Sequence, residues 1–94
     1  MTTRVFLESL GWPACAYCTK RRAQQRDHVV PRAMRRHFNI AEDDARFHVP
    51  ACRHCNEAKY TFAVYPAGFD TSILPGNPNK WREWNGDIAM LRAA

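Results

Sequence analysis

Two C-x-x-C pairs, Cys15/Cys18 and Cys52/Cys55, stand far apart in a chain of 94 residues. That spacing limits what the chain can fold into, because either a metal or disulfides would join its two halves. A staple is expected on other grounds. The length suits a single domain spanning 1–94, and six prolines and four glycines leave few continuous apolar segments for a core. Near the N-terminus Arg4 is followed by a short apolar run that Glu8 interrupts, which does not read as a secretory signal. Nothing approaches a membrane span. The expected setting is therefore cytoplasmic and reducing, where C-x-x-C pairs are more often metal ligands than disulfides. A structural zinc ion on Cys15, Cys18, Cys52 and Cys55 is the expected staple.

The net charge of +5 is unevenly spread. Lys20, Arg21, Arg22, Arg26, Arg32, Arg35 and Arg36 lie in one segment whose only acid is Asp27. Such a cluster suits a polyanion, because each neutralised phosphate releases condensed counterions. It could equally be a solvated surface, and its position beside the best catalytic candidate favours the polyanion.

Local patterning gives a coarse plan. Thr2 or Thr3 caps a helix through Leu10, with Phe6, Leu7 and Leu10 on one face and Gly11 ending it. Cys15 to Cys18 reads as a tight knuckle. Arg26 to Val30 reads as a strand, with His28 and Val30 on one face and Asp27 and Val29 on the other. A short basic helix covers 32–38, and a second strand runs from Arg46 to Val49, bounded by Pro50. From Cys52 a helix is expected as far as Pro66, with both cysteines in its first turn at i, i+3. The stretch 67–79 reads as loop. Asn77 and Pro78 would then open a last helix whose stripe holds Trp81, Trp84, Ile88 and Leu91. The tryptophans read as packing rather than base-stacking residues. In sum, the expected fold is α+β: a small zinc-bound treble clef, made of a two-stranded antiparallel element plus a helix, with flanking N- and C-terminal helices. Its motif core covers about 15–65, and the C-terminal loop and helix cover 66–94.

Inside the span between the cysteine pairs stands Asp27-His28-Val29-Val30-Pro31, and Asn56 and Lys59 follow the second pair. Phosphodiester hydrolysis needs an activated water, which an imidazole can supply, and charge stabilisation, which a divalent cation can supply. Asp27 and the amide oxygen of Asn56 are hard donors of the kind Mg²⁺ takes. Alone, His28 would read as an ordinary strand histidine and Asn56 as a helix-start residue. With DHVVP at 27–31 and PACRHCNEAK at 50–59, the chain resembles the HNH endonucleases, in the variant with Asn at the last motif position.

That resemblance implies a ββα-metal core and a metal-dependent endonuclease that hydrolyses DNA, leaving 3′-hydroxyl and 5′-phosphate ends. It makes His28 the general base, Asp27 and Asn56 the ligands of Mg²⁺ or another divalent cation, and Lys59 a phosphate contact. Arg21, Arg22, Arg26, Arg32, Arg35 and Arg36 would bind DNA. A bacterial or phage-encoded protein is expected. The middle Asn of the family is missing; Phe47 and His48 occupy its neighbourhood, and His48 or Asn39 could orient the loop in its stead. High sequence specificity would call for a homodimer or a partner protein. The alternative is a non-catalytic zinc-binding treble-clef module that binds nucleic acid, and a third reading is a zinc-stapled protein-interaction domain.

Overall fold

Thr2 accepts the Val5 amide on its side chain at 3.2 Å and so caps α1, Thr3–Ser9, the first helix. The computed structural model describes residues 2–59 and 62–84. Leu7 is the residue of α1 that reaches the core, whereas Leu10, expected on the same face, is exposed. After the helix, Ala14 bridges to Arg22, and the Cys15 amide donates to the Arg21 carbonyl at 2.7 Å, closing the knuckle. Thr19 turns it with a positive φ of 60°.

The strand β1, Gln25–His28, pairs antiparallel with β2, His48–Ala51. In this register Asp27 faces Val49 and His28 faces His48. The expected second strand, Arg46 to Val49, is displaced toward the C-terminus. Asp44 accepts the Arg46 amide at 3.2 Å and winds Ala45–Phe47 into a single 3₁₀ turn. Pro50 lies inside the strand rather than ending it, because a two-stranded sheet has an open edge on which no proline N–H is required. Its carbonyl accepts the Ala16 amide at 2.9 Å and ties the cysteine knuckle to β2.

Between these strands lies α2, Arg32–His37. It ends at Phe38 with Asn39 at φ 55°, the Ile40 amide on Arg35 O and the Asn39 amide on Arg36 O. That is the Schellman pattern, in which a residue tolerant of the left-handed region stops a helix. Phe38 in turn lies over Gly76, where a Cβ would fall 3.2 Å from the phenylalanine ring.

The helix α3, Arg53–Lys59, places Cys55 but not Cys52 in its first turn, Cys52 standing just before it, and it is shorter than the sequence suggests. By Val64 the chain is extended again: β3, Val64–Pro66, pairs in parallel with β4, Arg82–Trp84. The aromatic and β-branched content of 62–65 favours a strand once a partner is available, so pairing with β4 overrides local helix propensity. The expected C-terminal helix is corrected over the described part of its range. Asn77 caps only a 3₁₀ turn, Pro78–Lys80, and Trp81 and Trp84 then flank an extended segment. The calls on Ile88 and Leu91 lie outside the described residues.

The core gathers Cys15, Tyr17, Val29, Val30, Phe47, Ala51, Cys52, Cys55, Val64, Trp81 and Trp84. Trp84 packs on Tyr17 with ring centroids 5.1 Å apart, and Trp81 donates its indole N–H to Pro75 O at 2.9 Å. Trp81 and Trp84 therefore pack, as expected. The result is an α+β fold of two short sheets and a few helices around a cluster of cysteines. Among the described residues no helix is long and apolar enough to cross a membrane.

Candidate functional site

Three groups of side chains converge around β1, each held by a different element. The first is the cysteine cluster. The Sγ atoms of Cys15, Cys18, Cys52 and Cys55 all lie within 4.8 Å of one another, and all four residues are buried. Tetrahedral zinc with Zn–S bonds of about 2.3 Å requires sulfurs about 3.8 Å apart. Cys18 and Cys52 stand 4.0 Å apart, so the cluster can hold a metal ion such as zinc.

Local backbone prepares these sulfurs. Cys52 caps α3, its Sγ accepting the Cys55 amide at 3.3 Å, and the Arg21 amide points at Cys18 Sγ from 3.5 Å. Burial raises the Cys18 thiol, but the Arg21 and Lys20 amides and its cysteine neighbours outweigh it and bring it down to about 6. Burial pushes Cys15 and Cys55 up, Cys55 furthest. Cys18 is thus ready to ionise at neutral pH, and a metal would draw the protons off Cys15 and Cys55. His54, between Cys52 and Cys55, is exposed and stays out of the cluster.

The second group is buried and polar. Asp27 is 6 % exposed and Lys59 1 %. Lys59 Nζ lies 3.2 Å from Asp27 Oδ1 and 3.1 Å from Oδ2, and donates to His28 O at 2.8 Å. Tyr17 Oη donates to Asp27 Oδ2. Burial and the adjacent carboxylate raise the Tyr17 phenol well above its usual value, so it remains a donor. Burial also draws the Lys59 ammonium below its usual range, against the pull of Asp27. Lys59, expected as a phosphate contact, is thereby corrected: its side chain points inward and reaches no solvent.

The divalent cation implied by the HNH resemblance does not fit these donors as they stand. Asp27 already carries an ammonium and a phenol. Asn56, the other expected ligand, donates its Nδ2 to Gln25 Oε1 at 2.7 Å, tying α3 to β1.

The third group faces outward. His28 Nε2 lies 3.0 Å and His48 Nε2 2.8 Å from the same acceptor, Glu42 O, with ring centroids 4.6 Å apart and nearly perpendicular. A carbonyl can only accept, so both imidazoles donate from Nε2, and an imidazole held in this way keeps its lone pair on Nδ1 when neutral. Burial lowers the His28 pKa, with Arg35, His48 and Arg26 adding to the effect and the Glu42 carbonyl opposing it. His28 is therefore a neutral base of fixed tautomer.

Arg32, Arg35 and Arg36 of α2 line a hollow of about 380 Å³ together with Ile40 and Glu42. A second hollow, of about 330 Å³, is lined by Arg26, Glu42, Asp43, Ala45 and His48. Glu42 is common to both. Arg21 and Arg22 are exposed at the cysteine knuckle and line neither hollow, and His37 is exposed on α2. Of the two candidates for orienting the loop, His48 touches it through Glu42, whereas Asn39 acts at the end of α2.

Sequence reasoning missed Tyr17, Gln25 and Glu42. Nothing in the C-x-x-C spacing fixes that Tyr17 turns to the buried side, where it is found. Glu42 acts through its carbonyl, which no side-chain pattern announces. Comparison of the chain with protein-family models, with curated proteins and with solved structures gave no match.

Proposed function

We propose that the chain is an HNH-type endonuclease that hydrolyses DNA phosphodiesters, built on a zinc-bound treble clef. The observation that carries this reading is His28: a neutral imidazole pinned through Nε2 to Glu42 O, beside a hollow lined by three arginines. In the proposed reaction Nδ1 of His28 takes a proton from water, and the resulting hydroxide attacks phosphorus. The bond to the 3′ oxygen breaks and that oxygen takes a proton from solvent water, in keeping with the 3′-hydroxyl and 5′-phosphate ends that the HNH resemblance implies. Arg32, Arg35 and Arg36 hold the non-bridging oxygens, as guanidinium forks suit phosphate. A divalent ion would add further stabilisation of phosphoryl charge, but Asp27 as held by Lys59 does not accommodate it, and no step above depends on it.

Nicking of supercoiled plasmid by zinc-loaded protein, with separate Mg²⁺, Mn²⁺ and Ni²⁺ arms, tests the proposal. Cleavage by the wild type and its loss in His28→Ala are expected. Absence of cleavage in every arm, or equal cleavage by the variant, would sink it.

One observation favours the second reading, a zinc-bound nucleic-acid-binding module: the acid a cation would need is committed to a lysine. That module would bind DNA in a salt-sensitive way and cleave nothing.

A further inference from the structure

The Asp27 carboxylate is engaged on both oxygens. Lys59 Nζ donates to Oδ1 and to His28 O and lies 3.1 Å from Oδ2, to which Tyr17 also donates. The pair is sealed, with side-chain exposures of 2 % for Lys59 and 7 % for Asp27. The two residues come from α3 and β1, the elements that also carry Cys55 and His28. A divalent ion reaching Asp27 would meet an ammonium at hydrogen-bond distance from the same oxygens, and the like charges could not both stay.

We propose that Lys59 is the resident cation of Asp27 and competes with divalent metal for its carboxylate, so that the metal gains Asp27 only where the ammonium is withdrawn. This rests on the nuclease reading only for its consequence, since it makes Lys59 a built-in restraint on a cation-assisted site. The competition itself is a property of the protein without DNA. A failed nicking assay would therefore leave it standing, and a failed binding assay would leave nicking unexplained but intact.

Mn²⁺ binding to zinc-loaded protein, followed by the paramagnetic resonance signal of free Mn²⁺, tests it. Zinc keeps the thiolates, because they prefer it strongly to manganese. Lys59→Met keeps the length of the side chain and removes its charge, and should bind Mn²⁺ at least about tenfold more tightly than the wild type. The gain should vanish in Lys59→Met/Asp27→Asn. Tyr17→Phe, which frees a lone pair but leaves the ammonium, should gain less than about threefold. Equal affinity of wild type and Lys59→Met, or a gain that survives in the double variant, would overturn the proposal. Should Lys59→Met fail to load zinc, the wild type and Asp27→Asn decide. Tight Mn²⁺ binding by the wild type that Asp27→Asn abolishes counts against the resident ammonium, and absence of any Asp27-dependent binding supports it.

Discussion

On β1 the side chain of Asp27 turns into the core, where Tyr17 and Lys59 hold it, and that of His28, one residue on, turns out to Glu42 and His48. The HNH resemblance implies that both approach one phosphate, which a bend at the strand end would allow. Here the two-residue period of the strand prevails and the neighbours serve opposite faces. The inner face binds the knuckle, β1 and α3 into one unit. The outer face is a shallow basic rim whose parts are half-buried or exposed. The inner residues should thus report on stability and the outer ones on DNA, and each substitution below either breaks or sharpens that division.

The largest effect is expected at Cys52, which combines a place in the cysteine cluster with the cap of α3. Structural zinc contributes about 10–16 kcal/mol of apparent binding free energy in small zinc domains. Cys52→Ser should therefore lose both metal and the cooperative thermal transition, and a strong chelator should do the same to the wild type. A Cys52→Ser protein that melts normally would show that the core stands without its staple.

Asp27→Asn comes next. It leaves Lys59 buried without its carboxylate, a change that typically costs about 3–5 kcal/mol, whereas an exposed ion pair is worth at most about 1 kcal/mol. Denaturant unfolding of zinc-loaded protein distinguishes the two, and a loss under about 1 kcal/mol would mean that the inner face is open to water.

On the outer face, His28→Ala should lower cleavage by about 10²–10⁴-fold, the usual worth of a positioned base, with zinc content unchanged and a cooperative unfolding transition retained. The pH profile adds a sign. A folded pKa held below the unfolded value of about 6.5 favours neutral His28. Its contribution to stability is present above that value and is lost as pH falls through the lowered folded pKa. The acid limb of cleavage should accordingly lie below about pH 6.5, and a limb at or above it would break the assignment. Arg32→Gln and Arg36→Gln should each reduce the salt dependence of DNA binding by about one phosphate contact and leave unfolding unaltered.

How much of this could be read from the sequence varies by region. The cysteine spacing announced the cluster, with Cys52 just before α3 and Cys55 in its first turn, close enough at i, i+3 to share one side. The 64–66 and 82–84 segments read as helix locally but form strands, because their parallel pairing is non-local and no window of adjacent residues contains it. The inward turn of Lys59 was also illegible: a lysine four residues after a buried cysteine looks solvated until Asp27 is known to lie against it. His28 was legible as a candidate. What fixes its tautomer was not, because Glu42 contributes a backbone carbonyl.

Asn39 offers the smallest effect and the finest division. The sequence suggested it as a residue that orients the loop near His28, yet it stands at φ 55° where α2 ends, in the pattern that glycine fills most often. If termination is its whole role, Asn39→Gly should keep stability within about 0.5 kcal/mol and leave cleavage untouched, because glycine adopts the left-handed region without a steric penalty. Asn39→Val, whose branched Cβ crowds the carbonyl there, should cost about 1–2 kcal/mol and still cleave once folded. A loop-orienting amide predicts instead that both variants cleave slowly, Asn39→Gly while fully stable. Measuring unfolding and nicking on the same two variants therefore assigns Asn39 either to the scaffold of α2 or to the rim around His28, and only the second outcome would extend the functional face beyond the residues that touch Glu42.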